Sequence, residues 1–392
     1  MTRPTGDPAA SWASLLERMS ELGALIEREA IDDVERAEGY RHLTRLWSVT
    51  AEWFLEKADP ARPAFTRVIT PWRKFMGDNP DTLYDVAPVE AGGRYRLRGQ
   101  RGDALYLGVT VYGRDAGGDI SLLGQVADEE FVTGRDGTFD LVIGGENPGH
   151  DTSWIPLRAG AESLWVRQYF HDPESAAPAD FRLVRLDVDT AAPPSLDGER
   201  VAASLDRMAT FMSATMDAVT TLSGMMGRQP NRPLMAGASF AVDDPDGPPD
   251  AATDLETLLL KLGKVSHPTP DNRYAGVWFE LGPDEALVVS GTPPPGARYW
   301  GVQLANRWQE SLDYLHHGAC LNDRQIQLEP DGTYRIVVAA TDPGAANWLD
   351  TAGHRCGMVN VRALLAVELD DPNYRVVPIG AAATVVEEGE TP

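Results

Sequence analysis

The sequence predicts a mainly β protein with a helical N-terminus and a helical linker. Its β-rich part is predicted to form two tandem, related antiparallel modules of the β-sandwich or jelly-roll type. Three observations lead to this prediction. Apolar residues recur at helical spacing near the start, short alternating runs separated by Gly, Asp and Pro follow, and landmarks of the first β region return in the same order 190 to 195 residues later.

The N-terminal part of the chain is predicted to be helical. Leu15, Met19, Leu22 and Ile26 follow one another at steps of three or four residues, which places them on one face of a helix. A second stretch with the same spacing ends before Pro60, because proline cannot continue a helix.

Short strands and turns replace the helical pattern after this segment. Strands are predicted at 105–112, 138–143 and 164–170, and helices are predicted at 196–226 and 252–262. The predicted organisation is a helical segment at 1–75, a first β-sandwich module at 76–192, a helical linker at 193–265, a second module at 266–380 and an acidic tail at 381–392.

The two β regions share landmarks that indicate an internal duplication. Asp-Gly-Thr is a hairpin turn in which glycine takes a positive φ, and Pro-Gly closes the strand that follows. A tryptophan then fixes the next loop to the sandwich. The matching positions are Asp136–Thr138 with Asp331–Thr333, Pro148–Gly149 with Pro343–Gly344, Trp154 with Trp348, and Arg167 with Arg362. Because the two arginines hold the same position, we predict a shared structural role for them, pairing with a carboxylate of a neighbouring loop.

The charge and the cysteine content of the chain limit which binding partners and which cellular compartment we expect. The chain has 59 acidic and 35 basic residues, and its formal net charge is −24. Such a surface repels nucleic acid and anionic lipid, so neither nucleic acid nor a membrane is an expected partner. The start of the chain lacks a secretory pattern, and Cys320 and Cys356 do not make a disulfide scaffold. We therefore expect a cytoplasmic protein.

The second module resembles a bacterial family, the domain of unknown function 1214 (DUF1214). The resemblance rests on an aromatic strand, a D-G-(S/T) turn, a proline turn, an N-W-L motif and a late arginine: Tyr299–Val302, Asp331–Tyr334, Asp342–Gly344, Asn347–Leu349 and Val361–Arg362. Asn79–Tyr84 is similar to the N-x-D-T-x-Y signature of a companion family, DUF1254. The resemblance implies tandem β-sandwich modules of the jelly-roll type.

The segment 77–85 is the first candidate site. Asp81 and Tyr84 are candidate catalytic residues, because a carboxylate and a phenol can act as an acid/base pair on one bond. The alternative is an Asx turn that starts the first module. Asp271 and Tyr274 repeat the pair in the second module, which favours this structural alternative.

The loop 305–318 is the second candidate site, because its residues are extra in the second copy and combine charged, aromatic and titratable groups. Glu310 is the third candidate catalytic residue. Tryptophan next to arginine and carboxylates is typical of a rim for a sugar or another small polar ligand. The predicted substrate-binding residues are Asn79, Arg307, Trp308, Asp313, His316, His317 and Trp348.

The histidine pattern does not indicate a metal site. The chain has seven histidines but no H-x-H pair of the kind that cupin-type sites use, and His316, His354 and Asp350 are the least unfavourable trio. We predict neither a metal nor a cofactor.

These observations lead to an expectation about function with open alternatives. We expect an enzyme that uses metal-free acid/base chemistry on a hydroxylated or carbohydrate-like small molecule, by hydrolysis, elimination or isomerisation. The first alternative is a non-catalytic carbohydrate- or protein-binding scaffold. A structural assembly protein is a further alternative, and a homo-oligomer remains open.

Overall fold

The computed structural model describes residues 6–115, 118–149, 152–188, 195–233, 237–243, 265 and 267–383. The chain divides into two compact units. Unit 1 comprises Met1–Met76, Asp81–Ala218 and Ala241–Thr269, and unit 2 comprises Gly77–Pro80, Val219–Phe240 and Pro270–Pro392. The segment Gly77–Pro80 therefore belongs to unit 2, although its neighbours along the chain belong to unit 1.

Two helices form the N-terminal part of unit 1. Helix α1 spans Pro8–Glu29, and α2 spans Asp33–Ala51 and continues into a π-helical turn at Glu52–Glu56. Each helix begins after an aspartate, Asp7 or Asp32, whose carboxylate accepts a hydrogen bond from a backbone N–H of the first turn. The predicted apolar stripe of α1 is buried at Leu15, Leu22 and Ile26.

Unit 1 contains two β-sheets. A five-stranded sheet has the order β1-β2-β8-β4-β5, and a four-stranded sheet has the order β7-β6-β3-β9. The strands are β1 (Thr66–Ile69), β2 (Thr82–Pro88), β3 (Tyr95–Gln100), β4 (Tyr106–Arg114), β5 (Ile120–Ala127), β6 (Thr138–Ile143), β7 (Ser153–Ile155), β8 (Ala161–Tyr169) and β9 (Asp180–Arg185).

Unit 2 repeats this arrangement strand for strand. Its sheets have the orders β10-β11-β17-β13-β14 and β16-β15-β12-β18. The strands are β10 (Ala238–Ser239), β11 (Asn272–Glu280), β12 (Glu285–Gly291), β13 (Tyr299–Ala305), β14 (Cys320–Asn322), β15 (Tyr334–Ala339), β16 (Trp348–Asp350), β17 (Cys356–Leu364) and β18 (Asn373–Pro378).

The cores of the two units use equivalent positions of these strands. In each unit, apolar side chains from the five-stranded and the four-stranded sheet pack into one buried cluster, as in a β-sandwich. Each such side chain contributes about 1.5–3 kcal/mol to folding when it is fully buried. The equivalent buried pairs include Leu97 and Val289, Val109 and Val302, Leu141 and Ile336, and Val166 and Val361. The predicted fold class and duplication are thus confirmed.

The shared turns have the predicted geometry. Gly137 and Gly332 have φ values of 80° and 87°, a region that favours glycine. The carboxylate of Asp136 accepts hydrogen bonds from the backbone N–H and hydroxyl of Thr138 at 3.1 and 2.7 Å, and Asp331 does the same for Thr333 at 3.0 and 2.7 Å. These bonds lower the pKa of both aspartates. The turn is therefore the same in both copies.

Two details of the predicted fold need correction. Strand β1, Thr66–Ile69, lies in the segment that was predicted to be helical; its four residues are too few to show an alternating pattern, and pairing with β2 holds them extended. The pairs β6–β7 and β15–β16 are parallel, because the loop after the Pro-Gly turn returns the chain to the same sheet edge.

The linker contains the third helix, α3, at Gly198–Met226, close to its predicted bounds. The predicted helix at 252–262 and the tail from 384 onward lie outside the described residues. Within the described ranges, no helix is long and apolar enough to span a bilayer.

Candidate functional site

Unit 1 contains a cavity of about 330 Å³ at one end of its five-stranded sheet. The ends of β2 and β4 and the starts of β5 and β8 form its floor, while α3 and the π-helical turn cover it. The lining residues are Trp53, Phe54, Ala58, Pro88, Tyr112, Gly113, Arg114, Ile120, Glu162, Ser163, Asp206, Arg207, Thr210, Phe211 and His267. Aromatic walls with a few polar groups are typical of a small-molecule site.

His267 is the histidine of this cavity. It is 6% exposed, and its ring is stacked on Trp165 with the centroids 4.6 Å apart and the planes at 19°. The edge of Tyr112 meets the same ring at 4.9 Å. The residue has a φ of 50°, a conformation that few non-glycine residues adopt. The surrounding contacts therefore hold the ring in a fixed orientation.

The protonation state of His267 follows from its contacts. Its Nδ1 lies 2.9 Å from the carbonyl oxygen of Val265. Because a carbonyl can only accept, Nδ1 carries the proton, and Nε2 of the neutral ring carries a lone pair. Burial, together with the nearby Arg167 guanidinium, lowers the pKa of His267 to about 3. At neutral pH the ring therefore offers Nε2 as an uncharged hydrogen-bond acceptor.

The backbone of His267 is held by two side chains from the sheet. The guanidinium of Arg167 donates a hydrogen bond to the carbonyl of His267, and the hydroxyl of Tyr112 lies within hydrogen-bond distance of the carbonyls of His267 and Pro268. Arg167 is 3% exposed, and its guanidinium carbon lies 5.1 Å from the centroid of the Trp165 ring. These side chains fix the segment that carries the histidine.

Arg362 has a comparable role in unit 2. Its guanidinium donates to the carbonyl of Gly77 at 3.0 Å and lies 5.9 Å from the ring centroid of Tyr274, while Arg167 lies 5.8 Å from that of Tyr84. The guanidinium of Arg167 also lies 3.4 Å from the hydroxyl of Thr110. The predicted pairing of the two arginines with carboxylates of neighbouring loops stays a prediction.

Charged side chains surround the mouth of the cavity. Arg114 and Glu162 form an exposed ion pair at 3.6 Å. Arg207 lies on α3 with its guanidinium carbon 4.9 Å from the centroid of the Phe54 ring. Its neighbour along the helix, Asp206, also lines the cavity. The cavity thus has an aromatic interior with one neutral imidazole and a mouth with charges of both signs.

Unit 2 fills the equivalent region with apolar side chains. The positions of Pro88, Tyr112 and Ser163 on the strands of unit 1 correspond to Trp278, Ala305 and Met358 in unit 2. Trp278, Ala305 and Met358 pack in one buried cluster with Cys356 of β17 and with Met226 of α3. The two copies therefore differ in chemistry at this end of the sheet.

Two of the predicted catalytic residues lie in unit 1 outside this cavity. Tyr84 is buried on β2 beneath the guanidinium of Arg167, and Asp81 is half-buried with its backbone carbonyl accepting from the N–H of Phe170 at 2.9 Å. Neither side chain lines the cavity.

The predicted loop 305–318 of unit 2 places its main candidates in the interior. Trp308 is 0% exposed and Glu310 is 2% exposed, so neither offers a surface to a ligand in this conformation. Arg307 lies over the ring of Trp278, at 5.6 Å from its centroid. Asn79 is also buried and accepts a hydrogen bond from the hydroxyl of Tyr299 at 3.3 Å.

The remaining candidates lie near the surface of unit 2. His316 pairs with Asp313 at 2.9 Å, and His317 pairs with Asp350 at 2.7 Å; both histidines are exposed. Trp348 is half-buried, and its indole N–H donates to the carbonyl of Ala339 at 3.0 Å. In the part of the chain that the structure describes, no three His, Cys, Asp or Glu side chains are grouped as metal ligands would be.

The sequence analysis missed the residues of the cavity. His267 carries no recognisable motif, and its neighbour Pro268 indicates only a turn. Arg207 and Glu162 appear as ordinary exposed positions of a helix and a strand. The one usable signal is the difference between the copies, since Ser163 and Tyr112 of the first are replaced by Met358 and Ala305 in the second.

Comparison with known proteins gives a family and a fold. The family model described as a protein of unknown function (DUF1214) matches residues 84–173 and 276–366. The crystal structure of an uncharacterised protein from Burkholderia cenocepacia is 31% identical, with a TM-score of 0.83, and the match covers 95% of this chain and 97% of that chain.

A second solved structure, of a protein from Vibrio parahaemolyticus, is 13% identical with a TM-score of 0.50, and the match covers 86% of this chain and 96% of that chain; it shows the fold alone. No curated protein matches the chain. The family model matches both β modules, whereas the sequence resemblance had placed it in the second. The chain belongs to the DUF1214 family, and it carries that domain twice.

Proposed function

We propose that the cavity of unit 1 binds a small hydroxylated molecule and that the protein processes it by acid/base chemistry centred on His267. One observation carries the proposal: a neutral, fixed imidazole lines an aromatic cavity of about 330 Å³. A volume of this size accommodates a molecule with one ring.

Binding would use the aromatic walls and the imidazole together. The side chains of Trp53, Phe54 and Phe211 give the cavity apolar walls, against which a sugar or an aromatic ring would pack. A ligand hydroxyl would donate to Nε2 of His267, the ring nitrogen with a lone pair. This arrangement supports a hydroxylated ring compound as the substrate class.

Proton transfer would also use Nε2. A histidine with a pKa near 3 is a weak base in the free protein, because efficient general bases have pKa values near the working pH. A ligand that places negative charge beside the ring would raise this pKa, since an opposite charge stabilises the imidazolium. Hydrolysis, elimination and isomerisation all need such a proton acceptor.

The same low pKa favours a second candidate function, a non-catalytic binding protein. A ring that stays neutral over the whole physiological range is a stable hydrogen-bond acceptor. For either function we propose a cytoplasmic location, supported by the two free thiols, Cys320 and Cys356. A small molecule is the proposed partner, and the acidic surface disfavours nucleic acid and membranes.

The variant His267→Asn tests the proposal. Asparagine tolerates a positive φ but lacks the imidazole. We expect saturation-transfer NMR to show binding of at least one small hydroxylated ring compound, such as glucose, inositol or 4-hydroxybenzyl alcohol, to the wild type. His267→Asn should weaken that binding about tenfold or more, since it removes a buried acceptor and a stacked ring.

The matched control is His354→Asn in unit 2, because His354 is also partly buried with Nδ1 bonded to a backbone carbonyl, that of Thr351 at 2.8 Å. This variant should bind as the wild type does. No binding of any probe by the wild type, or equal binding by both variants, would refute the proposal. Binding without chemical conversion of the probe would leave the second candidate function.

A further inference from the structure

We propose that the ligand of the unit 1 cavity is a monoanion and that Arg207 binds its carboxylate. This inference rests on the proposed function, and it adds the charge of the ligand and the residue that selects it. Three features carry it: the surroundings of Arg207, the pairing of the other charges at the mouth, and the neutral interior.

Arg207 lines the cavity from α3, and its guanidinium carbon lies over the ring of Phe54, 4.9 Å from the centroid. Among the described residues, this arginine forms no ion pair, and its contact within that part of the chain is with the ring of Phe54. Stacking on an aromatic ring leaves the N–H groups of a guanidinium free to point sideways, where their planar fork matches a carboxylate. The side chain is therefore arranged to receive an anion.

The other charged side chains at the mouth of the cavity favour a ligand with no more than one negative charge. Arg114 has a partner, Glu162, at 3.6 Å, so its charge is largely balanced. Asp206 also lines the cavity and repels an anionic ligand in proportion to the charge of that ligand, so the repulsion is about twice as large for a dianion as for a monocarboxylate. A dianion such as a phosphate monoester is disfavoured, and a monocarboxylate is favoured.

The interior of the cavity indicates what the uncharged part of the ligand is. His267 is neutral, so the deep end of the cavity attracts a hydroxyl donor and not a charged group. Trp53, Phe54 and Phe211 line the same cavity and favour an apolar ring in the ligand. The combined preference is for a hydroxylated ring with one carboxylate, bound with the carboxylate toward α3.

The carboxylate of such a ligand would also make His267, which is a weak base in the free protein, more basic. A negative charge held in the same cavity raises the proton affinity of the imidazole, because it stabilises the protonated ring. An anionic ligand therefore makes His267 a better proton acceptor than it is in the free protein.

The experiment compares two probes of similar size that differ in charge, 4-hydroxybenzoate and 4-hydroxybenzyl alcohol. Their affinities for the full-length protein are measured by titration in ligand-observed NMR. We expect the wild type to bind the benzoate roughly tenfold or more tightly than the alcohol, as charge-assisted hydrogen bonds to a guanidinium predict.

Three variants define the role of Arg207. Arg207→Met keeps an apolar stem over Phe54 and should remove the preference for the benzoate while changing the affinity for the alcohol less than about twofold. Arg207→Lys keeps the charge without the planar fork and should retain part of the preference. Arg200→Met is the matched control, because Arg200 is an exposed arginine of the same helix outside the cavity lining, and it should behave as the wild type.

The outcomes separate this inference from the proposed function. Equal affinity of the wild type for the two probes, or an unchanged preference in Arg207→Met, overturns the inference and leaves the proposed function standing. Binding of neither probe, together with no binding of the neutral ring compounds named above, overturns both. Loss of the preference in Arg200→Met as well would assign it to the general charge of α3 and overturn the role of Arg207.

Discussion

Replacement of Asp78 by alanine should destabilise unit 2 strongly, because this carboxylate holds the loop 305–318. Asp78 is 1% exposed, and its two oxygens accept hydrogen bonds from the backbone N–H of Ser311 at 2.9 Å and from its hydroxyl at 2.6 Å. The loop it holds carries the buried Trp308 and Glu310. We therefore expect the contact between Asp78 and Ser311 to stabilise the folded position of this loop.

The magnitude follows from the number of bonds. A hydrogen bond to a charged group contributes about 1.5–3 kcal/mol, and a buried N–H left without an acceptor costs about 1–3 kcal/mol. Asp78→Ala removes two such bonds and leaves the N–H of Ser311 unpaired, so we expect a loss of about 3–5 kcal/mol in the free energy of unfolding. Ser311→Ala removes only the hydroxyl bond and should cost about 1–2 kcal/mol.

The assay is urea unfolding followed by tryptophan fluorescence, with hydrogen exchange of the amides in 305–312 as a local measurement. The double variant gives the coupling free energy, which we expect to be about 1–2 kcal/mol. Asp284→Ala is the control, because that aspartate is exposed in unit 2, and the replacement should change stability by less than about 0.5 kcal/mol. A loss below about 1 kcal/mol for Asp78→Ala would refute the structural role of the contact.

Three further predictions concern the duplication and the cavity. Gly137→Ala and Gly332→Ala should each cost about 1–2 kcal/mol in urea unfolding, because both positions have a positive φ; a large difference between the two would contradict the equivalence of the turns. Trp348→Phe should cost about 1 kcal/mol through the lost bond to the carbonyl of Ala339, and no loss in thermal unfolding would show that the bond is dispensable. Unfolded His267 takes up a proton near pH 6.5 and folded His267 only near pH 3, so the unfolded state binds more protons between these values and stability falls as the pH is lowered through this window. The melting temperature of His267→Asn should therefore fall less than that of the wild type between pH 7 and pH 4, and parallel curves would contradict the lowered pKa.

The fold could be predicted from the sequence because its signals are local and repeated. Asp-Gly-Thr specifies a turn within three residues, and its return 195 residues later gave the duplication without any knowledge of the strands between. The buried stripe of α1 follows from spacing alone. Strand β1 was missed because four residues show no period, and only its pairing with β2 makes it a strand.

The candidate site could not be predicted in the same way, because its residues meet only through the fold. His267, Arg207 and Tyr112 are far apart in the sequence, and each is unremarkable where it stands. The loop 305–318 is a candidate in the sequence because it is extra in the second copy and combines charged, aromatic and titratable residues. Residue types cannot reveal that Trp308 and Glu310 are buried, since the loop is held by distant residues such as Asp78, which bonds to Ser311 from more than two hundred residues earlier.

The placement of Gly77–Pro80 has a consequence for how the protein can be divided. These four residues are joined by peptide bonds to unit 1 on both sides, yet their contacts belong to unit 2. No single cut releases either half with all of its own residues, so expressing one repeat alone would leave unit 2 without the carboxylate of Asp78. The duplicated fold is thus interleaved at this segment, and expressing either half separately would remove contacts that the intact chain has.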